Sequence, residues 1–183
     1  MENKNNEDIT FINHYLRGQA RDNGLCDKWY EEWKGEDWSY QTMIDKYIEG
    51  IDFCIEHDFP KAEFITSYFP KDLLRENGIL VNDNWSLLNP KYAVLLENSN
   101  STIRLNGWQV SQVYLRGIST ARIHTGGHAH VIVHLYDEAG VHILCHDCKN
   151  RPVIIMHGKD VTEDRISYEI GQGAGIEIKR EDF

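Results

Sequence analysis

Seven of the nine histidines in this 183-residue chain fall after residue 120: His124, His128, His130, His134, His142, His146 and His157. Imidazole and thiolate are the protein ligands of zinc and related metals. His128, His130 and His134 share the parity that places side chains on one face of a strand. A neighbouring strand brings His142 or His146 together with Cys145 and Cys148. The chemistry these residues suggest is a divalent metal, zinc or another, held by His128, His130 and His134. The plainer alternative is that strands put every second residue into water, a place histidine tolerates. The segment Cys145-His146-Asp147-Cys148 has no second Cys/His pair at finger spacing, so the cofactor expected is none, with the metal as alternative.

A second set is cationic. Arg104, Arg122 and His142 sit at outward positions of successive short strands, where neighbouring strands run about 4.8 Å apart. Guanidiniums one strand apart would clamp a phosphate or carboxylate, and the alternative is a solvated face that pairs with local acids. No nucleophile arrangement can be assembled. Cys145 and His146 are adjacent, hence on opposite faces of a strand, which argues against a catalytic dyad. Gly171-Gln172-Gly173-Ala174-Gly175 is followed by strand-like Ile176-Glu177-Ile178 instead of a helix, so it reads as a turn and not a phosphate loop.

The elements that must carry these side chains are strands. Val94-Leu95-Leu96, Ile103-Arg104-Leu105, Val113-Tyr114-Leu115, Ala121-Arg122-Ile123, Val131-Ile132-Val133, Val141-His142-Ile143 and Val153-Ile154-Ile155 are separated by turn clusters such as Asn106-Gly107 and Gly126-Gly127. First strands begin at 94, 113, 131 and 153, and second strands at 103, 121 and 141. A repeat of about 20 residues with two strands in each unit is the pattern of a β-solenoid. Alternation from those starting points puts Val94, Leu96, Val113, Leu115, Val131, Val133, Val153 and Ile155 inside. It leaves Leu95, Tyr114, Ile132 and Ile154 as an outward apolar ladder, which requires a cover: the helical region, or alternatively a second copy.

Upstream the period is helical. Phe11, Ile12, Tyr15 and Leu16 define a short helix stopping near Gly18, and Trp29, Tyr30 and Trp33 a second. Ser39 caps a third, whose stripe runs through Met43, Ile44, Tyr47, Ile48, Ile51, Cys54 and Ile55. Phe64, Ile65 and Tyr68 follow Pro60, and a last turn through Leu73 and Leu74 closes on Asn77-Gly78. The expected organisation is α+β: a helical subdomain over 1–78, a bridging segment over 79–93, and a β-solenoid of three to four rungs over 94–183 with capping strands at its C-terminal end. Trp29, Trp33 and Trp38 read as packing residues, whereas Trp108 beside Gly107 reads as exposed.

Composition bounds the function. The net charge is −10, concentrated at the front: residues 1–90 hold 18 acidic against 9 basic side chains, and residues 91–183 hold 11 against 10. An acidic front half argues against nucleic acid as the partner, because duplex affinity comes largely from Lys and Arg. No apolar run approaches the roughly 18 residues of a membrane span, and Met1 to Ile9 lacks the basic start and apolar core of a signal peptide. The expected location is cytoplasmic, with all four cysteines reduced and Cys26 and Cys54 buried as small apolar groups.

Gly127-His128-Ala129-His130 and the following Val131 to Gly140 resemble part of the first cupin motif, His-x-His with a later Glu and a closing Gly. This resemblance implies a metal-dependent enzyme on a small β-barrel, with His128, His130 and His134 as ligands. The chain departs from the motif where its Glu would fall, near His134, and lacks the second motif. Over most of its length, through Trp29 to Trp33, Tyr47 to Pro60 and the strands from Val94 to Ile155, the chain resembles an uncharacterised bacterial family found near phage-like or mobile elements. That family carries a helical N-terminal region and a short solenoid, and it implies no activity. The leading expectation is a non-catalytic protein-binding or assembly module, with a protein partner or self-association. The alternatives are the cupin-like enzyme and a small anionic-ligand binder using Arg104, Arg122 and His142.

Overall fold

The computed structural model describes residues 2–33, 38–145, 147, 149–171 and 175–181, with the side chains of 2–8 left aside. The chain divides into two compact units, Met1–Leu73 and Leu74–Phe183.

The first unit is helical: α1 (Glu2–Asp22), α2 (Asp27–Glu32), α3 (Tyr40–Glu49), α4 (Ile51–Glu56) and α5 (Ala62–Tyr68), with α6 (Lys71–Glu76) running across the division. α1 does not stop at Gly18 but continues for a further turn. A Cβ at Gly18 would meet nothing within 4 Å, and one exposed glycine costs a helix only about 1 kcal/mol. Ser39 caps α3 as its sequence predicts, its hydroxyl accepting from the Thr42 N–H at 3.1 Å. The stripe from Met43 to Ile55 breaks at Gly50 into α3 and α4. Ile12, Leu16, Ala20, Met43, Cys54 and Phe59 make the core of this unit, ringed by aromatic side chains that include Trp33 and Trp38. These two indoles stack at 5.3 Å, and Trp33 Nε1 donates to buried Asn13 at 2.7 Å.

The second unit is a parallel β-solenoid. Sheet A takes β1 (Ile79–Val81), β3 (Tyr92–Leu96), β5 (Val110–Leu115), β7 (His130–Leu135), β9 (Val153–His157) and β11 (Glu177–Glu181). Sheet B takes β2 (Leu87–Leu88), β4 (Asn100–Leu105), β6 (Thr120–Thr125), β8 (Gly140–Cys145) and β10 (Ile166–Ile170). Successive strands alternate between the sheets, and every pairing between the described strands is parallel, as a chain wound in about four turns of some 20 residues requires. The small antiparallel barrel that the cupin resemblance implies is not the architecture found. Parallel strands one rung apart wind a solenoid instead.

The interior is a set of apolar columns. Ala93, Val113, Val133 and Ile154 stack in one, and Ile103, Ile123 and Ile143 in another. This corrects half of the alternation read from the sequence. Val113, Leu115, Val131 and Val133 do point inward, but so do Leu95 and Ile154, while Val94, Leu96, Val153 and Ile155 take outward positions. Ala93 to Leu96 is apolar throughout, so composition gives β3 no phase, and the rung from Val133 to Ile154 holds 21 residues and shifts β9 by one.

Corners are set by left-handed residues. Glu97, Gly117, Asp137 and Gly158 lie at φ of 58°, 72°, 54° and 81° along one edge. Gly117 has no room for a side chain, since a Cβ there would lie 2.9 Å from the Glu97 Cα. Asp137 bonds back across the rung, accepting from the Gly117 N–H at 3.1 Å and from Arg116 at 3.2 Å.

The C-terminal strands β10 and β11 extend both sheets. They pair in parallel with β8 and β9, and Ile166, Ile170 and Ile176 pack on the interior. Arg180 occupies an inward register position beside Met156, where it donates to the carbonyls of Gly158 at 2.8 Å and Val161 at 3.1 Å. Glu177, Lys179 and Glu181 flank it on an exposed edge. Arg180 itself is exposed, so β11 is charged along most of its length.

Candidate functional site

The two sheets present different outer faces. On sheet A the parallel register brings Val94, Tyr114, His134 and Ile155 into one column, with Tyr136 and His157 beside it. Tyr114 lies against His134 at 4.4 Å and 5°, and Tyr136 against His157 at 4.3 Å and 2°. The two stacks are joined by a hydrogen bond from ring to ring, His134 Nδ1 to His157 Nε2 at 3.0 Å. A neutral imidazole has one donor and one acceptor nitrogen, so this bond requires that one of the two facing nitrogens carry the hydrogen and the other accept it. Glu181 Oε2 lies 3.5 Å from the other nitrogen of His157, Nδ1. Val94, Leu96, Tyr114 and His157 are buried, and Tyr114 ties its hydroxyl to Gln112 at 2.7 Å. This face is packed.

The metal ligands expected from sequence are not gathered here. His128 stands in the corner before β7, where its ring lies 3.9 Å from that of Trp108 at 1°. His130 opens β7 and His134 lies four residues on, about 13 Å along an extended strand, well beyond the reach of one ion. The structure instead brings His134 to His157, a residue whose part sequence spacing did not reveal. His146 and Cys148 lie outside the described residues. Among the described residues no group of three His, Cys, Asp or Glu side chains is placed to hold a metal ion. Two cysteine expectations are corrected. Cys145 is disulfide-bonded, and Cys26 is exposed instead of buried. Cys54 is buried as expected, and loss of water pushes its thiol pKa up to about 12.

On sheet B the register forms two polar columns. Thr102, Arg122, His142 and Ser167 make one, and Leu88, Arg104, His124, Leu144 and Glu169 the other. The three residues singled out from sequence therefore all face outward on one sheet, but not in one file. Arg104 and Arg122 are diagonal neighbours, one rung and two residues apart, or about 8 Å between Cα atoms. Each has an imidazole as its register partner on the next rung: His124 beside Arg104, His142 beside Arg122. His124 was missed, although a 20-residue step from Arg104 points straight to it.

Both guanidiniums are exposed, and neither carries an ion pair among the described residues. Their neighbours along the sheet are neutral: Thr102, Thr120 and Asn100, the last two joined at 2.8 Å. His142 is held in place, with Nδ1 against the Ser167 hydroxyl at 2.7 Å and Nε2 3.6 Å from Glu169 Oε1. Two cations without an ion pair among the described residues, on adjacent strands of one sheet, make a surface able to hold an anion. No protein family, curated protein or solved structure matches this chain. The functional argument therefore rests on these faces. Among the described residues no helix is long and apolar enough to cross a membrane.

Proposed function

We propose that this chain is a non-catalytic binding module whose solenoid is a rigid platform and whose sheet B face recognises anionic groups carried by a partner. The observation that carries this reading is the pair Arg104 and Arg122, exposed on successive rungs and without a carboxylate partner among the described residues. Leaving two adjacent guanidiniums unneutralised costs mutual repulsion, and a ligand with carboxylate or phosphate oxygens relieves it. Parallel strands paired along their whole length fix the separation of the two arginines' backbones, so the ordering cost at binding falls on the two side chains alone.

The test is isothermal titration at low ionic strength of the chain and of an Arg104→Ala/Arg122→Ala variant, with sodium sulfate and with a glutamate-rich peptide. Binding to the chain that weakens at least tenfold in the variant, and that falls with added salt, supports the reading. Equal binding by both proteins, or none by either, overturns it.

A further inference from the structure

We propose that the corner at Trp108 is a stacking site for the base of a purine nucleotide, whose phosphate is held by Arg104. The inference rests on the anion-binding reading of sheet B and names the chemistry that carries the anion. A step in the solenoid supplies the geometry. Seven residues join Arg104 to Gln112, and seven join their register partners His124 and Ile132 on the next rung, but only three join Leu88 to Tyr92 on the rung before. Gly107 and Gly127 turn the two long corners at φ of 72° and 62°. Because these corners match, Trp108 lies flat on His128, with ring centroids 3.9 Å apart and 1° between the planes.

On the side away from His128 the column of rings stops. The short corner Asn89-Pro90-Lys91 brings no ring there, and Trp108 is 80% exposed although His128 covers one of its faces. The opposite face is therefore open, and a place one rung deep, about 4.8 Å, is left in a ladder of parallel rings. Hydrogen bonds fix its walls. The Asn106 N–H donates to the Asn89 side chain at 2.8 Å, and Gln109 Nε2 donates to the carbonyls of Pro90 at 3.4 Å and Val110 at 3.0 Å. They tie the long corner to the short one.

Shape selects a flat ring, and charge selects what the ring carries. Indole is bicyclic and offers a purine a face of like area, and a base stacked on an aromatic side chain needs no further pocket. The chain carries −10 overall, yet from Asn84 to Tyr136 it holds one acid, Glu97, against Lys91, Arg104, Arg116 and Arg122. Glu97 stands at the other edge of the solenoid, and Arg116 pairs with Asp137 there. Lys91 lies in the short corner itself. Arg104 precedes Trp108 by four residues, at most about 14 Å of chain, and has no ion pair among the described residues. A nucleotide joins a flat ring to a phosphate through one sugar, and so spans a ring platform and a cation at this range.

The experiment is isothermal titration at low ionic strength with adenosine monophosphate and with ribose 5-phosphate, which keeps the phosphate and lacks the base. The chain is expected to bind adenosine monophosphate at least about tenfold more tightly. Trp108→Ala should bring its affinity down to that of ribose 5-phosphate, Trp108→Phe should lose only part of the preference, and Arg104→Ala should weaken both ligands. Thermal unfolding checks that each variant is folded, and Trp108→Phe carries the test if Trp108→Ala is not. Equal affinity for the two ligands, a preference that survives in Trp108→Ala, or adenosine monophosphate bound undiminished by Arg104→Ala overturns the site. Ribose 5-phosphate or sulfate bound in those cases leaves the anion-binding face standing, and no binding of any of the three overturns both. Phenyl phosphate bound as tightly as adenosine monophosphate overturns the nucleotide assignment.

Discussion

The two outer faces of the solenoid are built on the same parallel strand pairing, yet their side chains differ. On sheet A the outward columns begin with Val94 and Leu96 and continue through Tyr114 and the His134–His157 pair, and most of these side chains are buried. On sheet B the same register positions hold Thr102, Arg104, Arg122, His124 and His142, and both arginines stand in water. The comparison separates what the repeat does from what the columns do. The inward residues hold the coil together identically under both sheets, and function is written only in the alternate residues that point away. Histidine appears on both faces with different work: hydrogen-bonded and stacked between tyrosines on one, beside a guanidinium on the other.

The comparison breaks most sharply at Tyr114, which is 2% exposed. Tyr114→Ala should destabilise the solenoid by about 3–4 kcal/mol, since it removes a buried aromatic ring and leaves a cavity. Urea denaturation followed by circular dichroism measures it. A loss below about 1 kcal/mol would show that sheet A is no better packed than sheet B, and the contrast would fail. His157→Ala comes next, at about 2 kcal/mol, because it strips His134 of its hydrogen-bond partner and Tyr136 of its stacked ring. A double-mutant cycle with His134→Ala isolates the link, and a coupling near zero would mean that the two stacks stand independently.

How much of this was legible in advance depends on which regularity carried it. The rung length was plain, because apolar triplets recur at nearly constant spacing, and so was the outward placement of Arg104, Arg122 and His142. The phase of β3 was not. Tyr92 to Leu96 is apolar at every position, so alternation has nothing to act on, and only the pairing Ala93 to Val113 fixes which residues turn in. The 21-residue rung before Ile154 defeated a fixed period in the same way. The pairing of His157 with His134 was not legible, because the two lie 23 residues apart and nothing local to His157 marks it. His124 was readable and went unread: the starting points chosen for the second strands stepped by 18 residues where the register steps by 20. Gly18 reads as a helix stop in isolation, but an exposed glycine is a weak one, and α1 runs through it. The bond at Cys145 is set by redox conditions as well as by chain geometry, which composition does not encode.

At the open end of sheet A, Arg180 sharpens the contrast from a third side. Arg180→Ala should cost about 1 kcal/mol, because it leaves the carbonyls of Gly158 and Val161 to water instead of to a guanidinium. Its larger consequence is at high concentration. With Lys179→Val added, the terminal strand loses both of its cations and becomes a flat edge available for pairing, so a mass that rises with concentration is expected by light scattering. A strictly monomeric double variant would mean that the end of the solenoid is guarded by something other than these charges.

The smallest expected effect on stability is the most informative about function. Arg104→Ala/Arg122→Ala removes two exposed side chains with no ion pair among the described residues, and such surface changes fall within about 0.5 kcal/mol of zero. If the arginines only repelled each other, the variant would even gain slightly, with a midpoint in urea shifted upward. A near-neutral result would separate Arg104 and Arg122 from the core, as the reading of sheet B as a binding face requires. A loss of 2 kcal/mol or more would reverse that inference. The pair would then be holding the coil together as Tyr114 does, and the two faces of the solenoid would differ in polarity without differing in purpose.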